Sequence, residues 1–155
     1  MLVRLVVVIV FTLLASSPLR AAQIPDNGGE AFADLKNADV IFDLRVPDQE
    51  KLIFNLNLIN ETFEGILKRG LKPRFVLAFR GPGVKLLTAS LIDVEALELI
   101  RELKKKGVRI EVCAVATRTF KIDNQGLIPE VKLVANVFHS LIGYQNRGYA
   151  MIAIN

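Results

Sequence analysis

Apolar and polar positions follow two different rhythms after residue 38. The apolar run 39–44 has the length of a strand, whereas apolar residues between 49 and 69 recur every three or four positions, as on one face of a helix. Asp48 stands at the expected helix N-cap, and Gly70 follows as a C-terminal cap. The pattern therefore predicts a strand and then a long helix. The predicted inner face of that helix contains Leu52, Ile53, Leu56, Ile59, Phe63, Ile66 and Leu67.

The same alternation continues to residue 154. A strand at 74–80 has an unbroken apolar centre, which is typical of a parallel strand covered on both faces. Three of the helix-to-strand passages contain a glycine, as right-handed βαβ units often do. The sequence predicts an α/β fold, with three α/β/α layers and a mostly parallel sheet of about five strands. The further predicted elements are a helix at 94–106 capped by Asp93, a strand at 108–114, a strand at 130–135, a helix at 137–147 capped by Asn136, and a strand at 149–154.

The strand at 108–114 has one apolar face and one polar face. Arg109, Glu111 and Cys113 alternate with valine, isoleucine and alanine, which is the period of two expected of a strand. A strand inside a doubly covered sheet is normally apolar on both faces. Either this strand lies near an edge and is solvated, or a second subunit packs there and pairs the charges. We favour the second explanation.

The first 21 residues have the layout of a secretory signal peptide. Arg4 precedes an apolar run at 5–15, and small residues follow near Ala21, where we expect cleavage. The apolar run is about half of the roughly 20 residues that a membrane-spanning helix needs. We therefore expect a periplasmic or secreted protein, with a loose leader at 22–37 and one domain at 38–155.

Charge and composition exclude several functional classes. Removal of Arg4 and Arg20 from the formal net charge of +4 leaves +2, and no basic stripe is interleaved with aromatic residues, so nucleic acid is not predicted as a partner. The chain has one cysteine and one histidine, His139, so a cysteine–histidine metal site within one chain would have to pair these two with carboxylates. We predict no metal and no cofactor. His139 is expected to face solvent or an interface.

Cys113 is the main candidate for chemistry. We expect Thr117 to cap a short helical turn that contains Arg118, which would bring backbone N–H groups and positive charge close to the thiol and favour its thiolate form. The alternative is that Cys113 is a small buried hydrophobic residue. An exported protein with one cysteine cannot form a disulfide within its own chain, so the thiol is buried, reactive or bonded to another molecule.

A second candidate loop follows the strand at 74–80. Arg80, Gly81 and Gly83 lie at its carboxyl end, and parallel sheets place ligand sites at that edge. We therefore expect this loop and Cys113 to share one edge of the domain. The segment Gly81-Pro-Gly-Val84 matches neither a dinucleotide fingerprint nor a P-loop, so it is either a plain tight turn or a loop that approaches an anion.

From about Ala38 to Ile154 the chain resembles the DsrE/DsrF-like family of small α/β proteins associated with sulfur relay. The resemblance implies a homo-oligomer, often a trimer or hexamer, and a cysteine at position 113 that carries sulfur as a persulfide. Many relatives have a histidine where this chain has Arg80, so an acid–base role for the loop is not implied. The segments that carry the resemblance are Gly81-Pro-Gly-Val84, the passage from Leu103 to Cys113, Leu127-Ile-Pro-Glu-Val131 and Gln145-Asn-Arg-Gly-Tyr-Ala-Met-Ile152.

Two functional hypotheses follow. In the first, the protein is a periplasmic sulfur carrier or sulfurtransferase in which Cys113 accepts a sulfane sulfur. A sulfur donor or acceptor, either a protein or a small compound, is then the partner, and Arg80 with the 81–83 loop holds it. Backbone amides near Thr117 and the cation of Arg118 stabilise the thiolate. In the second, the protein is a non-catalytic oligomer that binds a ligand or partner, and Cys113 only packs.

Overall fold

The computed structural model describes residues 27–155, which form one five-stranded sheet flanked by helices. All strand pairs are parallel, in the order β4-β3-β2-β1-β5, so the predicted fold class is confirmed. The strands are β1 (Asn37–Leu44), β2 (Lys72–Phe79), β3 (Arg109–Cys113), β4 (Lys132–Val134) and β5 (Ala150–Ile154). The helices are α1 (Gly28–Ala31), α2 (Gln49–Lys68), α3 (Val94–Lys105), α4 (Ala114–Thr119) and α5 (Val137–Gln145), with 3₁₀ turns at Gly81–Leu87 and Asn124–Gly126.

The strand order determines which face each helix covers. From β1 to β4 every strand is added on the same side of its predecessor, whereas β5 lies on the other side of β1. Right-handed crossovers therefore place α2 and α3 on one face of the sheet and α5 on the opposite face. Accordingly, α2 contacts α3, and α5 contacts β1, β2, β3 and β5. Three layers result.

Helix α2 has the predicted cap and most of the predicted inner face. The carboxylate of Asp48 accepts a hydrogen bond from the backbone N–H of Lys51 at 2.9 Å, and Gly70 adopts a φ of 77° just beyond the helix. Leu67 is 45% exposed, so its placement on the inner face was wrong. One residue step rotates the side chain by about 100°, and Ile66 already faces the core in this turn. The predicted residues that are buried are Leu52, Leu56, Ile59, Phe63 and Ile66.

The centre of β2 is covered on both faces, as its apolar run predicted. Every residue from Phe75 to Phe79 is buried. The Phe75 ring makes edge-on contacts with Phe42 of β1 and Phe63 of α2, at centroid distances of 5.1 and 5.3 Å. Strand β2 is therefore the middle of the core as well as the middle of the sheet.

The polar face of β3 has a partner that neither sequence-based explanation included. Strand β4 lies beyond β3, so β3 is the second strand from the edge of the sheet, and Arg109 is exposed, as the explanation of a strand near an edge expected. On this face Tyr144 of α5 takes up the charges: Arg109 donates to its hydroxyl at 2.9 Å, and the hydroxyl donates to Glu111 at 3.5 Å. A helix of the same chain therefore contacts these side chains, and the preference for a second subunit at this face stays a prediction.

The segment before β1 contains the four-residue helix α1, within the range predicted as a loose leader. Phe32, just after it, packs against the core. The predicted signal peptide and residues 22–26 lie outside the described residues. Among residues 27–155, no helix has both the length and the apolar character needed to cross a membrane.

Gly83 marks a place where two backbones come very close. A Cβ atom at this position would lie 2.3 Å from the carbonyl oxygen of Val46, a distance that real Cβ atoms do not reach. Val46 follows β1 and is fully buried, so its backbone has little room to move away. The second glycine of the 81–83 loop is therefore required for packing.

We expect Gly83→Ala to lower the free energy of unfolding by about 1–3 kcal/mol, because the added methyl group forces a backbone shift. Urea denaturation measures this loss. Gly126→Ala is the matched control, since a Cβ there meets no atom within 4 Å, and it should change stability by less than about 0.5 kcal/mol. Equal effects of the two substitutions would show that the contact at Val46 is not a constraint.

Candidate functional site

The register between β2 and β3 brings Arg80 next to Cys113. Phe79 is aligned with Val112 in this parallel pair. Arg80 directly follows β2, and Cys113 is the last residue of β3. Both therefore lie at the carboxyl edge of the sheet, where parallel α/β domains bind ligands. Two loops that are more than 30 residues apart in sequence meet at this point.

Cys113 is the last residue of β3 and also occupies the N-cap position of α4. Its side chain is 5% exposed. The sulfur accepts a hydrogen bond from the backbone N–H of Val137, the first residue of α5, at 3.5 Å. The thiol is thus buried, and one backbone donor from a second helix points at its sulfur.

Thr117 does not cap a helix. Helix α4 begins at Ala114, directly after Cys113, so Thr117 lies inside the helix, and its hydroxyl donates to the Ala114 carbonyl at 3.1 Å. The expectation of a cap at this residue was wrong because the helix starts four residues earlier than predicted. Thr117 is 1% exposed, whereas Arg118 is exposed. Neither residue lines the cavity beside the thiol, and neither does Gly83.

A cavity of about 210 Å³ lies beside Cys113. Arg80 and Gly81 line it together with the thiol, so three of the predicted site residues share one cavity. The other walls come from α4, from the first turn of α5 and from the residues just outside these helices, and most of them are apolar. They are Val115, Ala116, Thr119, Phe120, Asn136, Val137 and Phe138. A cavity of this size accommodates a small molecule or the end of one side chain.

Arg80 is held by a carboxylate that the sequence-based reasoning missed. Its Nε and Nη2 atoms donate to the two oxygens of Asp43, each at 2.6 Å, and its guanidinium lies 5.3 Å from the centre of the Phe138 ring. The hydrogen bond with Asp43 raises the pKa of Arg80, and Coulomb attraction from Asp43 and from Cys113 acts in the same direction. Asp43 is 5% exposed at the carboxyl end of β1. An acidic residue inside an apolar strand is the signal that could have revealed it.

The arrangement suits nucleophilic chemistry at sulfur better than acid–base catalysis. The backbone N–H of Val137 points at the Cys113 sulfur, and the guanidinium of Arg80 lines the same cavity. An arginine stays protonated, so it cannot act as a proton shuttle. His139 is exposed on α5 and is absent from the lining of the cavity. Within residues 27–155, no group of three or more His, Cys, Asp or Glu side chains is placed to hold a metal ion.

These features define a small doubly wound α/β domain with a thiol at the carboxyl edge of its sheet. The model of the DsrE/DsrF-like family matches residues 39–154, and the chain belongs to this family. Membership suggests a function of the sulfur-relay type. No curated protein gave a significant match.

Solved structures share the fold at low sequence identity. A protein of unknown function from Methanobacterium thermoautotrophicum, MTH1491, superposes with a TM-score of 0.65 at 20% identity, over 76% of this chain and 100% of that chain. The ychN protein from E. coli gives 0.56 at 15% identity, over 77% and 100%. The protein of unknown function BT1422 from Bacteroides thetaiotaomicron gives 0.53 at 20% identity, over 75% and 95%. These similarities concern the fold alone.

We expect Arg80→Met to destabilise the fold by about 3 kcal/mol, because it leaves the buried carboxylate of Asp43 without its partner. The double variant Arg80→Met/Asp43→Leu removes both charges and should recover most of that loss. Urea denaturation of the two single variants and the double variant measures the coupling. If Arg80→Met alone leaves stability unchanged, the pair does not hold the two strand ends together.

Proposed function

We propose that the protein carries sulfane sulfur on Cys113 as a persulfide and passes it to an acceptor. The observation that carries the proposal is the position of the thiol in a member of the DsrE/DsrF-like family: it forms part of a small cavity at the carboxyl edge of the sheet, under the first N–H of α5. A backbone donor points at this sulfur and a guanidinium lines the same cavity, and the proposed chemistry uses the sulfur as a nucleophile.

The loading step is a nucleophilic substitution at sulfur. With thiosulfate as donor, the Cys113 thiolate attacks the outer sulfur and forms a new S–S bond, while the old S–S bond breaks and its electron pair leaves with sulfite. The product is a cysteine persulfide, and no external oxidant or reductant is consumed. Transfer to an acceptor thiolate repeats the same substitution on the outer sulfur of the persulfide.

The residues predicted to bind the donor take different roles in this proposal. Arg80 and Gly81 line the cavity and are positioned to contact the donor, or the cysteine of a partner protein. Gly83 allows the loop to pack on Val46. Thr117 lies inside α4, where its hydroxyl donates to the carbonyl of Ala114. Arg118 lies outside the cavity, where a partner protein could meet it.

A second function is favoured by the burial of the thiol. At 5% exposure Cys113 resembles a packing residue, and the cavity beside it would then bind a small ligand or a partner segment without covalent chemistry. The two functions differ in one measurable property, the reactivity of the sulfur in the folded protein.

We expect incubation of the folded protein with thiosulfate or polysulfide to add one or more sulfur atoms to Cys113, and a reductant to remove them. Intact-mass spectrometry after non-denaturing alkylation measures this gain. Cys113→Ser should keep the fold and lose all loading. Absence of any adduct, together with alkylation of Cys113 only after unfolding, would eliminate the sulfur-carrier function and leave the binding function.

We further propose that the mature protein is exported to the periplasm or secreted and acts there as a homo-oligomer. Residues 1–21 support export. Exposed apolar side chains on the outer surface of α5 and along β5 support self-association. They are Phe138, Ile142, Met151 and Ile152.

Export predicts a processed protein. When the full chain is expressed with a secretory system, the mass of the protein in the exported fraction should correspond to cleavage near Ala21. Arg4→Glu reverses the charge that precedes the apolar run and should reduce export and processing. An unprocessed chain confined to the cytoplasm would contradict the prediction.

A further inference from the structure

The cavity beside Cys113 has one cation in its wall, and the charge of that cation is already balanced. Among the residues that line the cavity within 27–155, Arg80 is the only one with a charge. Its Nε and Nη2 atoms donate to Asp43, whereas Nη1 forms no hydrogen bond within the described residues and is not buried. The pair has no net charge, so the cavity offers an anion one free donor group but no surplus of positive charge.

Besides the guanidinium and the thiol, two polar side chains line the cavity, and both are engaged at the helices around it. The hydroxyl of Thr119 donates to the carbonyl of Val115 at 2.8 Å. The Oδ1 atom of Asn136 accepts from the backbone N–H of Phe138 at 2.9 Å. The wall therefore has few polar atoms left for a strongly hydrated ligand.

Apolar side chains form the outer part of the cavity. Val115 and Phe120 line it and are 38% and 43% exposed. The Phe138 ring faces the guanidinium of Arg80. An apolar cavity of about 150 Å³ is large enough to bind benzene. The cavity of about 210 Å³ therefore accommodates a six-membered ring together with a few further atoms.

Thiosulfate fits these walls poorly because of its charge. It carries two negative charges, and the attacking Cys113 thiolate brings a third. Charges that leave water need compensating groups, and a guanidinium that is already paired with Asp43 compensates at most one of them. A donor with a single negative charge loses less hydration and can use the free Nη1 atom of Arg80.

We propose that the sulfur donor of this site is an organic compound with one negative charge and an apolar substituent, such as a thiosulfonate, R–SO₂–S⁻. Its oxygens accept from Nη1 of Arg80, its terminal sulfur meets the thiol, and its substituent packs on Val115 and Phe120. Thiosulfate reacts by the same route but more slowly. This inference rests on the proposed sulfur-carrier function and names the class of donor for it.

The loading step with such a donor is balanced without a further reactant. The Cys113 thiolate attacks the terminal sulfur of the thiosulfonate and forms a new S–S bond. The bond between that sulfur and the sulfonyl sulfur breaks, and its electron pair leaves with the sulfinate, R–SO₂⁻. The products are a cysteine persulfide and a sulfinate, with the same total charge as the reactants.

The direct test compares thiosulfate, methanethiosulfonate and benzenethiosulfonate as donors. Intact-mass spectrometry follows the gain of sulfur on Cys113, and each rate constant is divided by that of the same protein unfolded in urea, which removes the intrinsic reactivity of the donor. We expect this rate ratio to be about tenfold higher for benzenethiosulfonate than for thiosulfate. Methanethiosulfonate, which has the single charge but no ring, should lie in between.

Phe120→Ala tests the contact with the substituent. We expect it to lower the rate ratio for benzenethiosulfonate about threefold to tenfold, and to lower the ratio for methanethiosulfonate less. The side chain is partly exposed, so the fold should persist. Phe54→Ala is the matched control, because this exposed phenylalanine lies on α2 and does not line the cavity, and it should change neither ratio.

Asp43→Asn tests the balance of charge. The amide keeps an oxygen that can accept from Arg80 but removes the negative charge, so the guanidinium gains a surplus of charge for the ligand. We expect the rate ratio for thiosulfate to rise about tenfold relative to that for benzenethiosulfonate. Far-UV circular dichroism checks that this variant is folded. If it is not, the comparison of donors and Phe120→Ala decide the question.

The possible outcomes separate this inference from the sulfur-carrier function. If the rate ratio for thiosulfate equals or exceeds that for benzenethiosulfonate, the carrier function stands and the class of donor is wrong. Equal ratios for methanethiosulfonate and benzenethiosulfonate, or an unchanged ratio in Phe120→Ala, would refute the apolar contact. If all three donors load the unfolded protein and none loads the folded one, both the carrier function and this inference fail.

Discussion

The parallel pairing of β2 with β3 is the constraint on which the rest of the molecule depends. Once Phe79 is aligned with Val112, Arg80 and Cys113 become neighbours without any special sequence around either of them. The pairing is fixed because a slip of β2 by one residue would move Phe75, which packs against Phe63 of α2, to the opposite face of the sheet. Chemistry at the edge of the sheet is therefore positioned by packing at its centre.

The two faces of the sheet are stabilised in different ways. Helices α2 and α3 cover one face with apolar side chains, whereas the face under α5 carries charge along three neighbouring strands. Most of these groups have a polar partner within the chain: Arg74 pairs with Asp39, Arg80 pairs with Asp43, and Arg109 donates to the hydroxyl of Tyr144. A helix of nine residues is too short to cover five strands with apolar side chains. Pairs of polar side chains therefore stabilise the part of this face that the helix leaves uncovered.

Most of the fold could be predicted because its signals are local. Asp48, Asp93 and Asn136 each accept from a backbone N–H at the start of a helix, as their position before an amphipathic run indicated. Thr117 has the same capping chemistry, yet α4 begins at Ala114, directly after β3, so this residue lies inside the helix and does not cap it.

The site was less accessible to sequence reasoning, since its contacts join distant segments. The two loops could be placed at one edge from topology alone, but the pairing of Arg80 with Asp43 spans 37 residues and has no local signature. The same holds for Tyr144, whose partners on β3 lie more than 30 residues away. The sequence shows which polar residues lie within apolar strands. It does not show which side chains form hydrogen bonds with them.

The position of β5 also has a consequence for the order in which the chain folds. Val40 of β1 pairs with Ala150, about 110 residues later in the sequence, whereas β1, β2 and β3 are joined by short crossovers. During synthesis β1 therefore leaves the ribosome long before β5 is made. Until then, the side of β1 that pairs with β5 has no partner strand. Long-range parallel pairing of this kind is slow. The β1–β3 unit is complete in the nascent chain before β5 is synthesised, so β5 is the last strand that can join the sheet.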